Sequence, residues 1–334
     1  MSHEPEVVAD GSVGLLGDAH GNLDFILSAL VALTEAQPGI RRVWQLGDAG
    51  LVWSGHPSER AKIARIDSLL EMLGIDQLGC VLGNHEGYGV LAHRESDAVG
   101  RIWLSPRIFY FPHGYRMTTP AGVAIAVLGG AGSPDRSIRT PGRSWWPEEA
   151  PDDDTLHAFA QGGPVDILLA HDAPRSAALT ATLTSGAFSD SGIAYATRIQ
   201  DRFQNAAAEA MSDRGLILSG HYHQRVSTTT EIHDAEGRAV TVRSEVLAAE
   251  TQSGSVAVLN LGTQQLRDVV LLDPPVARKR TRVLREVLRG RASERDIAAR
   301  LGVTTRQLRQ LRSGHLPVWS GILERSQALD GDEE

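Results

Sequence analysis

Eight side chains able to bind a metal ion or move a proton recur at one kind of position in this sequence. Val13-Gly14-Leu15-Leu16 runs into Gly17-Asp18-Ala19-His20, and Val43-Trp44-Gln45-Leu46 into Gly47-Asp48. Leu78-Gly79-Cys80-Val81-Leu82 runs into Gly83-Asn84-His85-Glu86, Val165 to Ala170 into His171-Asp172, and Leu216-Ile217-Leu218-Ser219 into Gly220-His221-Tyr222-His223. Each is a short apolar run ended by Asp, Asn or His, although Asn and His serve a turn less well than Gly or Pro. The repetition implies one shared site. Asp, Asn and His donors suit divalent ions such as Mn2+, Fe2+ and Zn2+. Two carboxylates, four imidazoles and an amide exceed the needs of one ion, but fill two coordination spheres if one carboxylate bridges. Two ions about 3.5–4 Å apart can hold a hydroxide between them while polarising a phosphoryl oxygen.

The elements that must position these groups follow from hydropathy. Residues 12–90 read as strand, helix, strand, helix, strand, the signature of a layered α/β domain. Leu23 to Leu33 carries apolar residues three and four apart, and Ile63, Ile66, Leu69, Leu70 and Leu73 repeat that spacing before Gly74 closes the helix. Short strands are expected over 108–111, 115–119 and 123–128, a helix near Thr155, and loop over 173–193 followed by a helix from Ala194 to Ser212. Strands near 225–232, 239–247, 255–261 and 267–272 are expected to make a second antiparallel group. Ligands of open α/β sheets bind at the C-terminal ends of strands, which is where the candidate donors lie.

A chain of 334 residues with 42% hydrophobic and 22% charged residues has the composition of an ordinary soluble protein. It has no apolar run of the roughly 18 residues needed to cross a bilayer, so no membrane partner is expected. The acidic start Met1-Ser2-His3-Glu4-Pro5-Glu6 lacks the form of a secretory signal. The single cysteine, Cys80, lies in an apolar strand and reads as a packed thiol, which points to the reducing cytoplasm. The net charge of −8 is uneven: residues 277–325 hold 13 Arg and Lys against 4 Asp and Glu, while the last nine residues hold 4 acids and no base. With Pro274-Pro275 as a boundary, the expected organisation is a catalytic domain over 1–273, a basic helical module over 276–325 and an acidic disordered tail over 326–334.

Asp18-x-His20, Gly47-Asp48, Gly83-Asn84-His85-Glu86, His171 and Gly220-His221-x-His223 together resemble the ordered motif set of the calcineurin-like metallophosphoesterases. The resemblance spans residues 12 to about 272. It implies a two-sheet β sandwich flanked by helices in four layers, with two divalent ions, Mn2+ first and Fe, Zn or Ni as alternatives. On the same resemblance Asp18, His20 and His223 hold one ion, Asn84, His171 and His221 the other, and Asp48 bridges. His85 binds no metal; it contacts the phosphate and protonates the leaving oxygen, a role suited to an imidazole near neutrality.

The sequence departs from the phosphoprotein-phosphatase branch, in which Val-Asp-Arg-Gly completes the second motif and an Arg precedes the third. Here Asp48 leads into Ala49-Gly50-Leu51, Val81-Leu82 precede Gly83, and the acid that would orient His85 is missing. Protein phosphatase activity therefore becomes the weaker alternative. Arg136 and Arg139, after a Gly-rich loop, are the substitute candidates for gripping phosphate, since a guanidinium fork matches its oxygens. Trp145-Trp146 could stack a base or pack over a core edge. Residues 293–312 read as a helix-turn-helix, in which Arg306, Gln307, Arg309, Gln310 and Arg312 would face DNA or RNA phosphates and base edges. The expected function is hydrolysis of a phosphomonoester or phosphodiester by attack of hydroxide held between the metals, leaning to nucleotide or nucleic-acid substrates. The competing reading is a nucleic-acid-binding regulator whose metal domain senses. Oligomeric state is not legible.

Overall fold

The computed structural model describes residues 4–250 and 252–271, together with the single positions 295 and 305. The first units are β1 (Glu6–Val7), β2 (Ser12–Leu16), α1 (Leu23–Ala36), β3 (Arg42–Gln45), α2 (Pro57–Leu73), β4 (Gln77–Cys80) and the single turn α3 (Tyr88–Leu91). Next come β5 (Ile102–Trp103), β6 (Ile108–Tyr110), β7 (Arg116–Thr118), β8 (Ala124–Leu128) and α4 (Asp153–Ala160). They are followed by β9 (Val165–Ala170), α5 (Ala177–Leu183), α6 (Asp190–Ala210) and β10 (Met211–Ser219). The last are β11 (Val226–His233), β12 (Ala239–Val246), β13 (Val256–Asn260) and β14 (Leu266–Asp268).

Local chemistry sets the helix ends. The Asn22 side chain caps α1 by accepting the Phe25 N–H at 3.1 Å. Gly74 stops α2 in the left-handed conformation, at φ 70°, which a residue without Cβ adopts freely. The apolar stripe of α2 is buried as its spacing predicts.

The strands form two seven-stranded mixed sheets, ordered β14-β13-β2-β3-β4-β6-β5 and β1-β7-β8-β9-β10-β12-β11. Strands β2, β3, β4 and β6 run parallel in one sheet, and β8, β9, β10 and β12 in the other. Because side chains alternate across a strand, each sheet divides its apolar residues between two faces. Leu15, Trp44 and Phe109 meet Val127, Leu169 and Leu218 between the sheets. On the outer faces Leu16, Val43 and Leu78 pack under α1 and α2, while Ala126, Leu168 and Ile217 pack under α4 and α6. The result is the expected four layers. It points the C-terminal ends of β2, β3 and β4 and those of β9 and β10 towards a common rim.

Some expectations change. Residues 225–272 are not one antiparallel group but two antiparallel pairs in different sheets: β11 pairs with β12, which lies parallel to β10, while β13 pairs with β14 and joins the first sheet antiparallel to β2. Alternating hydropathy marks a strand without naming its neighbour, and the continuous burial of Val256–Leu259 suits an interior strand. Residues 173–193 hold the helix α5, capped by Ser176, and α6 begins at Asp190 behind the Ser189 cap. No helix among the described residues is long and apolar enough to cross a membrane. The expected basic module over 276–325 and acidic tail over 326–334 lie outside the described residues; Arg295 and Thr305 are each helical.

The space between the sheets generates a stability prediction. Ile167→Ala, at a fully buried position, should lower unfolding free energy by about 2–5 kcal/mol. The measurement is a shift in the urea midpoint at unchanged slope.

Candidate metal centre

The strand ends deliver their polar residues by way of unusual backbone. Six non-glycine residues among those described have positive φ, and four of them are candidate ligands: His20 (43°), Asp48 (55°), His221 (69°) and His223 (54°). Each such conformation costs on the order of 1–3 kcal/mol, and such strain concentrates at functional sites. The motif glycines have a separate reason: a Cβ on Gly83 would strike the Asp48 carboxylate, and one on Gly220 the Asp18 carboxylate.

Asp18 and Asp48 are buried to 0% and 1% exposure. Asp18 Oδ1 accepts the His221 backbone N–H at 2.9 Å, and Asp48 Oδ1 accepts that of His85 at 2.7 Å. The second oxygen of each carboxylate is buried with no hydrogen-bond partner. Ring nitrogens face these oxygens: His223 Nε2 lies 3.2 Å from Asp18 Oδ2, and His20 Nε2 lies 3.5 Å from Asp48 Oδ2. His171 Nε2 lies 3.3 Å from Asp48 Oδ1 and 2.9 Å from Asn84 Oδ1. Two sets of donors have their atoms within 4.8 Å of one another, Asp18, His20 and His223 in one and Asp18, Asp48 and His171 in the other. The His221 ring stands 5.1 Å from that of His171.

Acceptors facing acceptors in a buried place require a cation between them. Without a metal, protons meet the need. Burial works to lower the His20 pKa, but Asp48 and Glu250 outweigh it and hold it at about 9. His171, also opposed by burial, is held at about 10 by Asp48 and Asp18. Burial would raise Asp48, yet the charges of His171 and His85 keep it well below the usual carboxylate range. His221 is pushed well below its ordinary value by burial and by His171. Unpartnered carboxylate oxygens ringed by imidazole and amide donors fit a divalent ion.

Groups behind the donors were not apparent in the motif pattern. Glu250 Oε2 lies 2.8 Å from His20 Nδ1, directing Nε2 inward. The run Val246-Leu247-Ala248-Ala249 before Glu250 is a further strand end closed by an acid, so a signal was present. His171 Nδ1 faces the Leu46 carbonyl at 2.8 Å. Buried Glu86 accepts from the Ala49 N–H at 2.8 Å and the Tyr110 hydroxyl at 2.6 Å, tying the third motif to the second. Burial, with Asp48 nearby, pushes its pKa up to about 8.

Of the two arginines expected to grip phosphate, Arg139 lies against His85 and Asn84, whereas Arg136 lies over Tyr195. Asp135 grips the Arg139 guanidinium at 2.9 Å through both Nε and Nη2. Arg139 Nη2 also lies against both ring nitrogens of His85, 3.1 Å from Nδ1, while Nη1 donates to the Asn84 carbonyl at 3.4 Å. Arg136 instead stacks over the Tyr195 ring at 3.9 Å. Trp146 packs edge-to-face on Trp53 with centroids 5.5 Å apart. Arg306, Gln307, Arg309, Gln310 and Arg312 lie outside the described residues.

Residues 11–225, which contain all five motifs, match the family model described as calcineurin-like phosphoesterase. No curated protein matches the sequence significantly. Among solved structures the chain is similar to TT1561 of Thermus thermophilus, at 13% identity over 79% of this chain and 100% of that one, with a TM-score of 0.42. It is also similar to a 5'-nucleotidase from Candida albicans SC5314, at 15% identity over 86% of this chain and 59% of that one, with a TM-score of 0.38.

The imidazole protons predict the pH dependence of metal uptake. Since His20 and His171 are raised to about 9 and about 10, both carry protons at pH 7 in the metal-free protein and must lose them on loading. Affinity for Mn2+ should rise with pH, up to tenfold per proton displaced per pH unit, and level off above about 10. Calorimetric titrations in buffers of different ionisation enthalpy should register the release, up to two protons.

Proposed function

The chain belongs to the calcineurin-like phosphoesterase family, a family of metal-dependent hydrolases, and from that premise we propose that it hydrolyses a phosphomonoester or phosphodiester at a two-ion centre. The observation that carries this reading is the pair of buried carboxylate oxygens on Asp18 and Asp48, which find no hydrogen-bond donor and face the imidazoles. Asp18, His20 and His223 would hold one ion, Asn84, His171 and His221 the other, with Asp48 between them. Mn2+ is the first choice, with Fe, Zn or Ni as alternatives, for a site of oxygen and imidazole donors. Divalent ions bound there supply a lowered pKa for water and positive charge at the phosphoryl oxygens.

The chain's own part is to hold the phosphate and to protonate the departing oxygen. As a water oxygen bonds to phosphorus, the ester P–O bond breaks and the leaving oxygen needs a proton. His85 is the residue that would give it. In the free protein burial lowers the His85 pKa, Asp48 pulls it up, and the Arg139 charge pushes it down. A phosphate entering between Arg139 and His85 takes guanidinium donors and brings negative charge to the ring, which favours the protonated imidazole. Arg139, braced by Asp135, thus replaces the phosphate-gripping arginines absent from the second and third motifs. The basic composition of residues 277–325 supports a nucleotide or nucleic-acid substrate through phosphate attraction.

Substitutions separate these roles. His85→Ala should slow hydrolysis of an alkyl phosphate by about 10²–10⁴-fold and leave Mn2+ affinity unchanged, with a smaller loss on an activated aryl ester. Asp48→Asn should weaken Mn2+ binding itself. A His85→Ala enzyme as fast as the parent on both esters would remove His85 from the chemistry.

A further inference from the structure

The Asn84 side chain has a direction problem. The two ends of a primary amide are alike in shape, but only the oxygen can ligate a cation. We propose that Glu149, acting through Ser133, is a positioning residue that turns the Asn84 oxygen towards the metal centre. The inference rests on the reading of Asn84 as a metal ligand.

Glu149 and Ser133 are both fully buried, and Asn84 is 3% exposed. The Ser133 N–H donates to Glu149 Oε1 at 2.9 Å, and the Ser133 hydroxyl donates to Oε2 at 2.6 Å, the short distance of a hydroxyl bound to a carboxylate. A serine hydroxyl has one proton. With that proton committed to Glu149, Oγ offers Asn84 only a lone pair, so the amide end facing it at 3.0 Å must be the NH2. Asn84 Oδ1 is then delivered to the other side, 2.9 Å from His171 Nε2. A flipped amide would set its oxygen against the Ser133 lone pair, at a place buried from solvent where an unmade hydrogen bond is costly. The Glu149 backbone is secured as well: its carbonyl accepts the Ala131 N–H at 3.0 Å. This gives a task to a buried carboxylate that the hydrolytic roles leave unused.

Glu149→Gln reverses the polarity without changing the shape. If the Gln NH2 faces Ser133 Oγ, the hydroxyl proton turns to Asn84 and favours the flipped amide. In the full-length chain, Mn2+ affinity measured from the free-ion paramagnetic resonance signal should fall about 10–100-fold. In an Asn84→Asp background both ends of the side chain are oxygens, so adding Glu149→Gln should cost nothing or should restore affinity, the hydroxyl now donating to the introduced carboxylate. The same cycle with Ser133→Ala, which removes the hydroxyl, should show at least a tenfold loss in the parent and none in the Asn84→Asp background. Thermal midpoints confirm that each variant is folded, and the Ser133 cycle serves if Glu149→Gln does not fold.

Equal losses in the parent and in the Asn84→Asp background would mean that Glu149 acts by charge or by packing, and would overturn the proposal. So would a Glu149→Gln protein that binds Mn2+ like the parent, as expected if Glu149 were a neutral acid. Asp48→Asn separates the two levels. If it too leaves Mn2+ affinity unchanged, the metal-centre reading has failed; if it alone weakens binding, only the role of Glu149 has.

Discussion

Two carboxylates are buried in this protein with too few donors to satisfy them. Asp18 and Asp48 each accept one backbone N–H on one oxygen and make no hydrogen bond through the other, which faces an imidazole. A lone ionised carboxylate out of water is costly enough that it normally takes up a proton. Here the imidazoles take up the protons, as the raised His20 and His171 show. The interior is therefore built to be completed by positive charge. A divalent ion would meet that demand with a higher charge than a proton and leave the imidazole lone pairs free to act as ligands.

Meeting that demand shapes the backbone around it. Donors from β2, β3 and β4 in one sheet and from β9 and β10 in the other converge only because parallel strands all end at the same rim. The rim is crowded: Gly83 and Gly220 approach the two carboxylates so closely that no side chain fits. His20, Asp48, His221 and His223 sit in left-handed conformations that nothing about helix or strand formation requires. Strain on the order of 1–3 kcal/mol at each of four residues persists only where packing on both sides over-determines it. The core between the sheets, with Leu15, Trp44, Val127, Leu169 and Leu218, supplies that rigidity.

The donors themselves were legible in the sequence because their signal is local. An apolar run followed by Gly and then Asp, Asn or His shows on a few adjacent residues, and five repetitions left little room for another meaning. The first strands and helices were legible for the same reason: α1 and α2 carry their periodicity and their caps within their own spans. Pairing was not. β13 reads like any short strand, and its place beside β2 is decided by a sheet edge more than two hundred residues away in the chain. Glu149 has no local signal either, since it matters only through a group brought to it by the fold, whereas Glu250 ends an apolar run as the donors do. The two arginines show the limit well: Arg136 and Arg139 are equivalent in sequence, and Tyr195 beside one and Asp135 with His85 beside the other tell them apart.

Converging donors are still not a site until each is turned the right way, and this structure handles direction separately from position. His171 has Nδ1 against the Leu46 carbonyl, His20 has Nδ1 against Glu250, and Asn84 has its NH2 against Ser133. In each case an acceptor outside the centre takes up one end of a two-ended side chain, leaving a lone pair at the other end. The backbone N–H groups of His221 and His85 do the converse for the carboxylates, occupying Oδ1 and leaving Oδ2. In the free protein, protons on His20 and His171 stand in for the cation and have to leave before those nitrogens can act as ligands. Ligand direction held from behind is what allows the donor set to meet a cation without rearranging.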